Sequence, residues 1–139
     1  MAIIGSTPSL FVADIGRSAD FYAEILRFNL AFAHGDPLFY GQVERDGFKL
    51  ARRAVDDYIL TAQKTRRREE ELWALAFIVS GLKDLYQELV DAGAPMFQVL
   101  RTEPRGQQNF IVEDPDGNLL SFIEDPLVRD HSTAPLMIH

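Results

Sequence analysis

Few residues in this chain have side chains that could do chemistry, and they are dispersed. There are three histidines, His34, His131 and His139, and no cysteine. No thiolate is therefore available as a nucleophile or a metal ligand. His34 lies in an HGDP stretch and the other two lie in the last fifteen residues, so no spacing gathers them on one metal ion. They read as loop histidines. Carboxylates crowd in VEDPDGNLLSFIE, residues 112–124. There Asp116 precedes Gly117 as turn chemistry, and Glu113 and Asp114 have turn and solubility roles. Asp14 reads first as a helix N-cap. There is no supported Ser-His-Asp pattern, and GQVERDG (41–47) has too few glycines for a phosphate loop. Arg105 and Gly106 in EPRGQQ read as an ordinary hairpin loop, with a gating role as the alternative.

The run KTRRREEE, residues 64–71, offers two readings. Arg66, Arg67 and Arg68 could form an anion patch. The acidic residues that follow at once favour a solvated connector with weak local pairing. The aromatics are richer, with ten Phe, four Tyr and one Trp. Phe11, Phe39, Tyr40, Tyr58 and Phe110 are candidates for a ligand-lining role. With Glu44, Asp56, Asp57 or Glu113 nearby they would suit a flat cationic ligand.

Those side chains need a scaffold to position them. At 139 residues the chain is the size of one domain. Its net charge of −7 argues against nucleic acid as a partner, because phosphate contacts need clustered Lys and Arg. No apolar run approaches the ~20 residues of a membrane helix. The opening MAIIGSTPSL has neither the basic start nor the long apolar run of a secretory leader. With no cysteine, a cytoplasmic location is expected.

Periodicity places the elements. TPSLFVA (7–13) alternates as a strand, and DIGRSADFYAEIL (14–26) has helical spacing at Ile15, Ala19, Tyr22 and Leu26. Strands follow at 29–33, 38–45 and 48–52. After the connector the order recurs: a strand at 72–79, a helix at 82–92 closed by Gly93, and strands at 97–101, 109–113 and 119–124. The second half echoes the first residue by residue. Val12, Ile15 and Tyr22 correspond to Val79, Leu82 and Leu89 at one offset, and Asp46-Gly47 and Leu50 to Asp116-Gly117 and Leu120 at another. The spacing therefore predicts two βαβββ units, at about 5–53 and 71–125, joined by a connector at 54–70 and followed by a tail at 126–139. One unit alone cannot bury its sheet and its helix, so the two should pack together.

SLFVADIGRSADFYAEILRF resembles the first strand and helix of the glyoxalase/bleomycin-resistance/dioxygenase superfamily, the vicinal oxygen chelate proteins. FIVEDPDGNLLSFIE resembles its closing hairpin. The resemblance covers about residues 7–124. It implies an α+β fold in which paired βαβββ modules form one curved eight-stranded sheet around a cleft, usually in a homodimer. Whether the cleft belongs to one chain or to two is open. One departure is local: Leu26-Arg27-Phe28 stands where relatives have Leu-Gly-Phe, and the turn there should differ, since Arg is less at ease than Gly at positive φ.

Strand alternation then assigns faces. Leu10, Val12, Phe48, Leu50, Leu75, Phe77, Leu120 and Phe122 should face the helices, with Trp73 by parity in that row or at a dimer contact. The cleft should receive Thr7, Ser9, Phe11, Lys49, Ala51, Ala74, Ala76 and Ser121, with Phe39, Tyr40 and Phe110 around it. The resemblance places metal ligands on four strands, at Thr7, Lys49 (Ala51 if the register slips), Ala74 and Ser121. None is a competent donor, and a lysine would repel a cation. The expected protein has no metal, no cofactor and no catalytic residue. It resembles the bleomycin-resistance branch, sequestering an antibiotic or another amphipathic, cationic and aromatic compound in the clefts of a homodimer. The alternatives are a glyoxalase I-like lyase or related metalloenzyme with displaced ligands, a metal-free enzyme using Lys49, and a regulatory subunit without a ligand.

Overall fold

The computed structural model describes residues 1–126; the expected tail lies outside the described residues from 127 onward, together with His131 and His139. The first half forms β1 (Ser9–Val12), α1 (Ile15–Glu24), β2 (Asn29–His34), β3 (Tyr40–Arg45) and β4 (Phe48–Ala54). The second forms β5 (Trp73–Ile78), α3 (Leu82–Asp91), β6 (Met96–Thr102), β7 (Gln108–Glu113) and β8 (Leu119–Glu124). Between them, where sequence suggested a plain connector, runs α2 (Asp57–Glu69). Its composition of long straight-chain residues is helix-favouring, and Leu60 is buried beneath it.

The eight strands do not make the single curved sheet expected. They form two four-stranded sheets, ordered β1-β4-β3-β2 and β5-β8-β7-β6. In each, the first strand pairs in parallel with the last and the rest are antiparallel. The other edge of β1 is met by side chains: Asn118 Nδ2 donates to the Phe11 carbonyl (3.1 Å), and Asp116 Oδ1 accepts from Ala13 N–H (2.9 Å). The 114–118 turn thus satisfies backbone groups that a sheet-to-sheet ladder would need.

The repeated Asp-Gly turns are two different devices. Asp46 (φ 54°) and Gly47 (φ 84°) are the two central residues of a tight hairpin between β3 and β4. Both have positive φ, as the twist of a two-residue loop requires. The later turn is longer. Asp114 and Asn118 exchange backbone contact (Asp114 N–H to Asn118 O, 3.0 Å), and Gly117 takes φ 81°. A different turn is expected after α1 because Arg27 replaces Gly, but Arg27 takes φ 62°, the left-handed conformation that glycine would adopt there.

Helix-facing rows meet in one core. Asp14 caps α1, accepting from Arg17 N–H at 2.9 Å, and Ile15, Ala19 and Tyr22 point inward. Leu82 and Leu89 do the same from α3. The echoed positions Tyr22 and Leu89, and Leu50 and Leu120, are all buried. A line of rings crosses from one half to the other: Phe28 to Phe77 (5.9 Å between centroids), Phe77 to Phe122 (4.9 Å), Phe122 to Phe110 (4.9 Å) and Phe110 to Tyr86 (5.1 Å).

Candidate functional site

Each sheet turns one face to its helix and leaves the other outward. Cross-strand register shows which side chains share the outward face. On the first sheet Ser9, Ala51, Gln42 and Phe32 form one row, and Phe11, Arg53, Tyr40 and His34 the next. Lys49 stands opposite Glu44. On the second sheet Ala76, Ser121 and Ile111 form a row, as do Ile78, Ile123 and Asn109. Phe39 lies just before β3, its ring against His34 at 5.6 Å. Thr7 is exposed ahead of β1.

Three assignments change. Phe110 is not at a cleft: it is fully buried on the helix side, stacked on Phe122 and edge-on to Tyr86. It is in register with Phe122, whose face it must share. Trp73 moves the other way. A register shift between Trp73 and Leu75 sets Trp73 opposite Leu119, on the outward side, so simple alternation fails at this bulge. Phe48 keeps its parity but not its burial. It is 72% exposed at the hairpin tip, beyond the cover of the helices.

Two cavities stand out. One of about 300 Å³ lies on the helix side, among Leu26, Phe28, Phe48, Phe77, Leu85 and Phe122. It contains none of the expected site residues. The guanidinium at its rim, Arg45, is already tied to Glu88 (3.0 Å) and the Leu26 carbonyl (2.8 Å). The other, about 230 Å³, brings together Ser9, Phe11 and Ala74 with Trp73, Leu119 and Arg67 of α2. Ser9, Phe11 and Ala74 thus share a concavity; Tyr40, Lys49, Ala51, Ala76 and Ser121 lie on the flanking faces, outside it.

A buried ionic cluster joins the halves behind the first sheet, and sequence reading missed it. Arg52 is fully buried on β4, its guanidinium 4.3 Å above the Tyr22 ring, with Nη1 donating to Ser18 Oγ at 2.6 Å. Tyr22 OH donates to Asp114 Oδ2 at 2.8 Å. The other Asp114 oxygen accepts from Asp116 N–H and Asn118 N–H, each at 2.9 Å. Asp116 Oδ1 pairs with Arg17 at 2.9 Å. Burial pushes the Asp114 carboxyl up, against the pull of hydrogen bonds from Asn118 and Tyr22. Burial, and then the charge of Asp114, push the Tyr22 phenol well up, which keeps it a donor. Arg52 Nε and Nη2 and Asp116 Oδ2 have no hydrogen-bond partner among the described residues. The available signal was parity: Arg52 shares a face with buried Leu50, and a charge there needs a partner.

Among the described residues no group of three or more His, Cys, Asp or Glu converges to hold a metal ion. The outward positions Thr7, Lys49, Ala74 and Ser121 supply no imidazole, carboxylate or thiolate. The residues present do not fit a divalent ion at the positions that the resemblance implies.

Paired βαβββ units, each a four-stranded sheet with its helix on one face, define the class of this protein. The chain belongs to the Glyoxalase/Bleomycin resistance protein/Dioxygenase superfamily, whose model matches residues 4–122. No curated protein matches it. Among solved structures it is similar to the bleomycin-binding protein of Streptomyces verticillus, determined with copper(II)-bleomycin: 19% identity, 88% of this chain, 96% of that one, TM-score 0.67. It is also similar to the bleomycin resistance determinant encoded on transposon Tn5, with 19% identity, 89% and 99% coverage and a TM-score of 0.68. A third is TioX from Micromonospora sp. ML1, with 17% identity, 91% and 99% coverage and a TM-score of 0.62. At these identities the likeness concerns the fold.

Proposed function

We propose that this protein binds a small amphipathic molecule without a metal, sequestering it against the outward sheet faces where two copies of the chain meet. The observation that carries the reading is the make-up of those faces. They display aromatic and small side chains, are exposed at Ser9, Phe11, Phe32, Trp73, Ala74 and Ala76 although Ala51, Ile111 and Ser121 are buried, and lack metal donors at the positions that the resemblance implies. Phe11, Phe32 and Trp73 are 47%, 43% and 49% exposed there. The solved bleomycin-binding and bleomycin-resistance structures share the fold, which supports binding as a use of this scaffold. Antibiotic protection and a cytoplasmic location are part of the proposal. The cationic ligand that net charge suggests finds little support on the faces. Glu113 is paired with Arg68 at 3.1 Å, and Glu44 stands opposite Lys49.

Chelator-stripped protein titrated with Ni²⁺, Co²⁺, Zn²⁺, Mn²⁺ or Fe²⁺ is expected to keep its Tm. A ligand that binds only the folded state raises Tm with the logarithm of its excess. A saturable rise with any one metal would overturn the reading in favour of the lyase. The dimer is tested separately by Phe32→Glu, which puts a charge on the outward face of β2. The variant is expected to weaken self-association at least about 30-fold in sedimentation equilibrium, the loss typical of an interface hot spot. An unchanged association constant would remove this face from the interface.

A further inference from the structure

We propose that the cavity beside α2 accepts a planar aromatic anion, with Arg67 as its charge partner. The inference rests on the small-molecule reading above and names the ligand class. Its starting point is the arginine triplet, whose members meet three different fates. Arg66 pairs with Glu70 at 3.2 Å, and Arg68 with Glu113 at 3.1 Å. Arg67 meets no carboxylate among the described residues. It donates to Gln63 Oε1 at 3.0 Å and to Asn118 Oδ1 at 3.4 Å. Neighbours on a helix point about 100° apart, so the residues flanking Arg67 reach carboxylates that it cannot.

What Arg67 does face is the 230 Å³ cavity, with Phe11, Trp73, Ser9, Ala74 and Leu119. Among the described residues, no acidic one lines it. Guanidinium carries five N–H donors in a planar fork, and the two hydrogen bonds leave three. That fork matches a carboxylate, and two half-exposed rings in the same wall match an aromatic body. The surroundings agree. Arg53 stands on the outward face between Phe11 and Tyr40 and has no ion-pair partner among the described residues. The chain is acidic as a whole, yet this side of it gathers cations that an aromatic cation would have to approach.

The test compares naphthoate, naphthamide and naphthamidinium, one ring system in three charge states, by calorimetry on the full chain at low salt. Naphthoate is expected to bind about tenfold or more tightly than naphthamide, the usual margin of a charge-assisted hydrogen bond. Arg67→Gln should erase that margin without changing naphthamide affinity. Arg67→Lys, which keeps charge but loses the fork, should fall between. Arg66→Gln, beside it but turned away, should change neither. Naphthamide or naphthamidinium binding as well as naphthoate would overturn the inference and leave the small-molecule reading standing. So would naphthoate affinity that survives Arg67→Gln. Failure of all three probes overturns it as well, whereas the wider reading falls only to a saturable metal response.

Discussion

Replacing Asp114 with alanine is expected to cost about 3–5 kcal/mol of folding stability, the usual result of removing one partner from a buried ionic group. Four donors converge on this carboxyl: Tyr22 OH, the backbone N–H of Asp116 and of Asn118, and Asn118 Nδ2. Alanine leaves them facing an empty site and removes one of the two carboxylates, Asp114 and Asp116, whose charge favours the buried Arg52. Urea unfolding should show the loss as a lower midpoint at unchanged slope. Asp114→Asn isolates the charge. Burial raises the Asp114 pKa in the fold, so its favourable contribution is complete below the unfolded value of about 3.9 and is lost as pH rises through the folded value. The stability gap between wild type and Asp114→Asn is therefore expected to narrow as pH increases from acid toward neutral. A gap that widens instead would show that Arg52 outweighs burial and holds the carboxylate charged.

Phe122→Ala is expected to have an effect of similar size, about 3–5 kcal/mol, through a different cause. Phe122 lies between two stacked rings, Phe77 and Phe110, each at 4.9 Å between centroids, and is only 4% exposed. Removing it opens a void in the row of rings that links the two halves, and it also widens the helix-side cavity that Phe122 lines. The Tm should fall by on the order of 10 °C. Phe122→Leu, which refills most of the volume, should recover the larger part. A small Tm change with alanine would show that the two halves do not depend on this aromatic contact. The outward faces are unaffected by either variant, so a ligand held there should bind Phe122→Leu as it binds wild type.

The contrast between Phe122 and Phe110 on one side and Arg52 and Asp114 on the other shows what reading a sequence can reach. Alternation put Phe122 and Leu120 toward the helices, and they are there. The same rule would have put Phe110 inward with Val112, had the strand been read by its register with β8 rather than by its aromatic character. Trp73 escaped the rule because one residue of bulge reverses every face beyond it. Asp114 looked like turn chemistry because its sequence neighbours are Pro, Asp and Gly. Its turn contacts are real, but its partner Tyr22 lies 92 residues away.

The sequence by itself determined the two echoing βαβββ units, the helix-facing rows and the lack of metal donors at the four outward positions. Each of these is written in local period, turn chemistry or residue type, and needs no knowledge of what lies across the fold. Only the tertiary structure decided that the strands form two sheets rather than one, with the 114–118 turn bonded to Phe11 and Ala13 on the free edge of β1. Only it showed that Arg52, Tyr22, Asp114 and Asp116 form one buried cluster. It also decided which of three consecutive arginines meets no carboxylate among the described residues. Helical phase turns the three in different directions, but what each one meets there is set by β7, by the 114–118 turn and by α2 itself, segments that come together only when the chain is folded.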